Sequence, residues 1–134
     1  MKRLSWREYA LKIAIVASER SEDPYKKVGA CALRHDNSVA SIGYNGSPSG
    51  VEIDWSNRDE RRKRVCHAES NCLRYIKPGE CRLLACSLMP CSACMTNIAA
   101  YKIPEIIYLE KYDKDDFAEQ LAKEFGIDLI QIKL

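Results

Sequence analysis

His67, Cys91 and Cys94 are three side chains of the kind that hold a transition metal, and they stand in the strings His67-Ala68-Glu69 and Pro90-Cys91-Ser92-Ala93-Cys94. One imidazole and two thiolates suit zinc, which takes nitrogen and sulfur in a tetrahedron. Three protein ligands leave the fourth position for water, as in a catalytic site; a structural site would need a fourth ligand, and none lies at an obvious spacing. The thiols must ionise to ligate, and a helix start, which Pro90 fits, favours the thiolate. Zinc brings the pKa of water toward neutrality. Glu69, two places past the imidazole, is placed to take a proton from that water. Read singly, Cys91 and Cys94 could be a redox pair and Glu69 a solvated helix residue. Together with His67 they describe a hydrolytic centre.

Several elements must position these residues. Ser5 to Arg20 predicts an amphipathic helix, with Ser5 and Glu8 at capping-box spacing. Trp6, Tyr9, Ile13 and Val16 share one side of it, and Ala10, Ala14 and Ala17 permit close packing. Asp23-Pro24 ends it. Val28 to Arg34 and Val39 to Tyr44 predict strands joined by a hairpin turn at His35 to Ser38. From Gly46 to Arg64 periodicity is lost and a long loop is expected. A second helix is expected from about His67 to Ile76, then a turn at Pro78-Gly79. A strand over Arg82 to Ser87, a helix over Cys91 to Tyr101 and a strand over Ile106 to Glu110 follow. A helix from Lys114 to Phe125, closed by Gly126, leads to a last strand from Ile127 to Ile132. Such alternation implies a sheet with helices on both faces. Crossovers of one hand then bring the starts of the second and third helices, with His67 and Cys91, to one sheet edge.

The chain's 134 residues fit one domain over 1–134. A net charge of +2 gives no argument for a nucleic-acid or membrane partner. The sequence has no apolar run of membrane-spanning length, and its start lacks the apolar stretch of a signal peptide. Seven cysteines, an odd number, argue for free thiols and a reducing, cytoplasmic setting. Cys31, Cys72, Cys81 and Cys86 lie in apolar stretches and read as buried small residues. Cys66 reads as a core or strand-end thiol, and His35 as exposed.

The combined motif, His-x-Glu followed by Pro-Cys-x-x-Cys, is the signature of the zinc-dependent nucleobase deaminases. Further blocks extend the resemblance: Ser18 to Pro24 with Val28 to Cys31, Gly43-Tyr44-Asn45-Gly46 with Pro48 and Gly50, Val65 to Asn71, and Tyr108 to Asp113. In order and spacing, the chain resembles the deoxycytidylate deaminases of the cytidine deaminase-like family. Ser70, Cys72, Met89 and Met95 depart from the family pattern. The resemblance implies an α/β, three-layer α/β/α fold with a mixed five-stranded sheet. It implies hydrolysis of dCMP to dUMP and ammonia, feeding thymidylate synthesis. It also implies a homo-hexamer activated by dCTP and inhibited by dTTP, with Mg2+ on the triphosphate.

Residue by residue, the resemblance makes Glu69 catalytic and His67, Cys91 and Cys94 the zinc ligands. It puts Asn45, Ala68, Tyr112 and Arg20 at the substrate, and Gly43, Tyr44, Gly46, Arg61 and Arg64 at the effector. Asn45 also has a physical case: it ends a strand near the metal edge, and its amide suits a sugar hydroxyl. Gly43 and Gly46 would let backbone approach a ligand closely. Arg61 to Arg64 suit phosphate, whether of substrate or effector, with Arg20 and Lys26 as further cations. Tyr75 reads as core or as base pocket. The alternatives are a tRNA adenosine, free cytosine or cytidine deaminase of the same fold, or a nucleotide-binding protein without turnover.

Overall fold

The computed structural model describes residues 2–134. Ser5 caps α1 (Trp6–Ser18): its hydroxyl accepts the N–H of Glu8, and the Glu8 carboxylate accepts the N–H of Ser5. Next come β1 (Gly29–Arg34) and β2 (Val39–Tyr44), joined by a tight turn in which Asn37 takes a φ of 70°. The segment read as an open loop contains a short helix, α2 (Arg58–Arg64), capped by Asn57. The rest alternates: α3 (Ala68–Leu73), β3 (Cys81–Leu88), α4 (Ser92–Ala100), β4 (Glu105–Glu110), α5 (Phe117–Glu124) and β5 (Asp128–Gln131).

The five strands form one mixed sheet in the order β2-β1-β3-β4-β5. β1 runs antiparallel to both β2 and β3, while β3, β4 and β5 are parallel and joined by α4 and α5. Period-two alternation sends Cys31, Leu33, Leu83, Ala85 and Ile107 to one face, against Ala10, Leu11 and Ala14 of α1. Ala30, Ala32, Leu84, Cys86 and Ile106 go to the other face, against α3, α4 and α5. The expected three-layer α/β/α architecture is what forms.

The alanines of α1 pack closely, as expected, while the larger residues beside them do not form the buried face. Trp6, Tyr9 and Val16 are exposed, and the helix buries Ala10, Leu11, Ala14 and Ala17 instead. The cause is backbone proximity: a Cβ on Gly29 would meet the Ala14 carbonyl oxygen at 1.8 Å. β1 lies so close to the helix at Ala14 that small residues are needed where Gly29 faces it. No helix among the described residues is long and apolar enough to cross a membrane.

Candidate active site

The two metal-ligand strings occupy equivalent places. His67 is the N-cap of α3 and Cys91 the N-cap of α4, and neither side chain makes the usual N-cap hydrogen bond. An N-cap side chain ordinarily accepts a free N–H of the first turn; these two point at each other instead. His67 Nδ1 lies 3.2 Å from Cys94 Sγ and 3.6 Å from Cys91 Sγ, and the three ligand atoms fall within 4.8 Å of one another. Metal–sulfur and metal–nitrogen bonds of about 2.3 and about 2.0 Å at a tetrahedral angle put ligand atoms about 3.5–3.8 Å apart. The donor set and its spacing therefore fit zinc. Among the described residues no other histidine, cysteine or acid joins this cluster, so a zinc held there would keep one position for water.

The electrostatics favour one thiolate of the pair, since the bond to Cys91 and burial push the Cys94 thiol up. The Cys91 thiol is held well below its ordinary range by a hydrogen bond from Cys94 and by His67. The hydrogen bond to Cys91 in turn raises the imidazole. Glu69 follows on α3, only 4% exposed, and burial raises its carboxyl above the usual carboxylate range. A carboxyl buried beside an open metal position is poised to hold a proton and release it.

A cavity of about 270 Å³ opens on this centre, lined by His67, Glu69 and Cys91 with Ala68, Asn45 and Tyr112. Lys26, Arg61 and Arg62 supply positive charge to its wall. Arg20 does not reach it. It lines a second cavity, of about 830 Å³, together with Gly43, Tyr44 and Gly46. Arg61, expected at the effector, lies on the catalytic cavity, and Arg64 lines neither. Tyr75 is exposed at the second cavity, away from the base pocket and the core.

Asn45 borders the catalytic cavity with its amide already occupied. Its Oδ1 accepts the N–H of Val28 at 2.8 Å, and its Nδ2 donates to the Lys26 carbonyl at 2.9 Å. Its role in the fold is to staple the loop between α1 and β1. Gly43 serves packing rather than ligand approach: a Cβ there would lie 2.5 Å from the Cys72 nitrogen and 2.6 Å from the Ala68 oxygen. The close neighbour is α3, the helix that carries Glu69. A Cβ on Gly46 would meet nothing within 4 Å.

Cys31, Cys72, Cys81 and Cys86 are buried, and all seven cysteines are free thiols. Met89 and Met95 fill the core around the cysteine pair. Two residues at the site were not singled out from sequence as individuals. Asp23 lies on the cavity wall. Asp115 accepts the N–H of Ser92 at the start of α4. The signal for Asp115 was available: a metal-ligating Cys91 cannot cap its own helix, so a cap had to come from elsewhere.

The family model described as "Cytidine and deoxycytidylate deaminase zinc-binding region" matches residues 4–110. Over 128 residues the chain is 34% identical to the deoxycytidylate deaminase of Homo sapiens, covering 86% of this chain and 71% of that one. Over 122 residues it is 34% identical to the deoxycytidylate deaminase of Mus musculus, covering 81% and 67%. In structure it is similar to the dCMP deaminase of cyanophage S-TIM5, crystallised in complex with dCMP and dUMP. That likeness has a TM-score of 0.84 at 23% identity, covering 98% of this chain and 100% of the other, and it speaks to the fold.

Proposed function

Because the chain belongs to the cytidine and deoxycytidylate deaminase zinc-binding family, we propose that it hydrolyses dCMP to dUMP and ammonia. The observation that carries this reading is the buried Glu69 carboxyl beside a three-ligand cluster with one position open. His67, Cys91 and Cys94 would hold the zinc. Bound there, zinc supplies the Lewis acidity that makes water nucleophilic near neutral pH. Glu69 takes the proton of the attacking water and delivers it to N3 of the cytosine ring. It then carries the second proton to the departing amine. The C4–N bond breaks, the C4–O bond remains, and the balance is one water consumed and one ammonia released. The raised affinity of Glu69 for a proton suits it to both transfers.

Substrate choice rests on the relatives' activity and on the charge of the cavity. Lys26, Arg61 and Arg62 favour a nucleotide over a free base or nucleoside. Ala68 and Tyr112 line the space for base and sugar, and Asn45 shapes it from behind.

Regulation by dCTP and dTTP is assigned to the second cavity, where Arg20, Gly43, Tyr44 and Gly46 meet Arg74 and Asn71. Magnesium would arrive with the triphosphate. Asn71 supports a link between the cavities: it sits on α3 two residues after Glu69, and its Nδ2 donates to the Tyr44 carbonyl at 2.8 Å. Trp6, Tyr9 and Val16, exposed on α1, offer apolar surface for a homo-hexamer. Cysteines without disulfides, five of them free once Cys91 and Cys94 hold zinc, fit the cytoplasm. The test is a dCMP deamination assay run alone, with dCTP plus magnesium, and with dTTP. The reading predicts turnover in the first case, a rise in the second and a fall in the third. Turnover of cytidine or of adenosine-containing RNA in preference to dCMP would overturn the substrate assignment.

A further inference from the structure

The three cations on the catalytic cavity are not equivalent. The Lys26 ammonium is already paired with Glu110. Arg62 is exposed. Arg61 is held in place: its guanidinium carbon lies 3.8 Å from the centroid of the Tyr25 ring. Its Nη1 is buried without a hydrogen-bond partner, a condition shared among the described side chains only by Ser41 Oγ.

Stacking on an aromatic face orders a guanidinium while leaving the N–H groups at its edge free to donate. A charged donor without a protein partner is costly to enclose, and Arg61 lines the cavity, where an anion can pair with its guanidinium. The nearby acids do not take that place. Asp23 turns one carboxylate oxygen to the N–H groups of Tyr25 and Lys26, at 2.8 and 3.3 Å, and the other toward Asn45. Glu69 stands at the metal end.

The stack also joins the loop between α1 and β1 to α2. Tyr25 is fixed through Asp23 and Asn45 in the loop between α1 and β1. Arg61 belongs to α2, which buries none of its own residues. A helix with no apolar anchor is held by contacts such as this one and by the bridge between Gly46 and Cys66.

We infer that Arg61, ordered by Tyr25, is the anchor for the substrate's 5′-phosphate in the catalytic cavity, and that Tyr25 is its positioning residue. The inference rests on the dCMP reading and deepens it: the cavity is built to distinguish a nucleoside monophosphate from its nucleoside.

The test compares dCMP with deoxycytidine on zinc-loaded wild type, Arg61→Gln, Arg61→Lys, Tyr25→Phe and Tyr25→Ala, with dCMP binding followed by calorimetry. Arg61→Gln raises KM for dCMP about 10- to 100-fold, the range for one charge-assisted contact, and leaves kcat/KM for deoxycytidine unchanged. Arg61→Lys falls between. Tyr25→Phe, which keeps the ring, behaves as wild type, and Tyr25→Ala weakens dCMP about 3- to 5-fold. Equal losses on both substrates overturn the inference, as does an unchanged KM for dCMP with a lost response to dCTP. Wild type that prefers deoxycytidine overturns it too. If wild type releases no ammonia from dCMP, the deaminase reading fails separately; the anchor then stands or falls on whether calorimetric dCMP binding depends on Arg61.

Discussion

Asp115 accepts a hydrogen bond of 2.7 Å from the backbone N–H of Ser92, so the loop after β4 caps the helix that carries Cys91 and Cys94. That N–H holds the Asp115 carboxyl below the usual carboxylate range. The ligand pair is thus fixed from outside its own helix, by a segment three residues beyond Tyr112. Asp115→Ala is expected to lower stability by about 1 kcal/mol, the ordinary effect of losing a cap. It is also expected to speed zinc loss to a chelator at neutral pH, while Asp115→Asn, which keeps an acceptor, retains zinc better. Thermal melts and chelator-release rates measure both effects. Equal zinc retention in wild type and Asp115→Ala would show that the cap does not position the ligands.

Glu69 is buried at a thermodynamic disadvantage. Because its folded-state pKa is raised, the folded chain holds that proton more tightly than the unfolded chain does. Stability is therefore lost as pH rises from the ordinary carboxylate pKa through the raised one. Glu69→Gln removes that loss. In the metal-free protein its melting temperature should exceed that of wild type near about pH 8, with the gap narrowing toward about pH 5. A gap that widens on acidification would contradict the assigned burial effect.

Gly43 and Gly46 should respond in opposite ways. A methyl at Gly43 meets backbone atoms of α3 that cannot yield, so Gly43→Ala should cost at least about 2 kcal/mol and displace the helix bearing Glu69. Gly46→Ala meets open space and should stay within about 0.5 kcal/mol of wild type. Denaturant midpoints of the two variants decide it. Equal tolerance would mean that β2 and α3 are not in backbone contact.

Asn45→Ala removes the acceptor for Val28 and the donor to Lys26 at once. A loss of about 2–3 kcal/mol is expected, together with a higher KM, because the freed loop carries Tyr25 and Lys26. A raised KM at unchanged stability would point to direct substrate contact instead of a staple.

The clustering of His67, Cys91 and Cys94 was legible in the sequence because coordination chemistry restricts residue type and spacing severely. Ser5 and Glu8 were legible for a similar reason, since a capping box is local. The buried face of α1 was not. Trp6, Tyr9 and Val16 outrank Ala10, Ala14 and Ala17 in hydrophobicity, and the deciding fact was the closeness of Gly29 to Ala14. α2 went unread because a helix that buries nothing leaves no apolar period. The assignments of Arg20 to the second cavity and Arg61 to the catalytic one depend on how two loops fold back, which local pattern does not encode. The tie between Asp115 and Ser92 spans 23 residues and is a tertiary fact.

The most direct measurement is ammonia and dUMP formation from dCMP by zinc-loaded wild type and Glu69→Gln side by side. The account predicts equal molar yields of the two products from wild type and a rate about 100- to 10,000-fold lower for Glu69→Gln. Wild-type speed in Glu69→Gln, or no ammonia from dCMP at all, would contradict it.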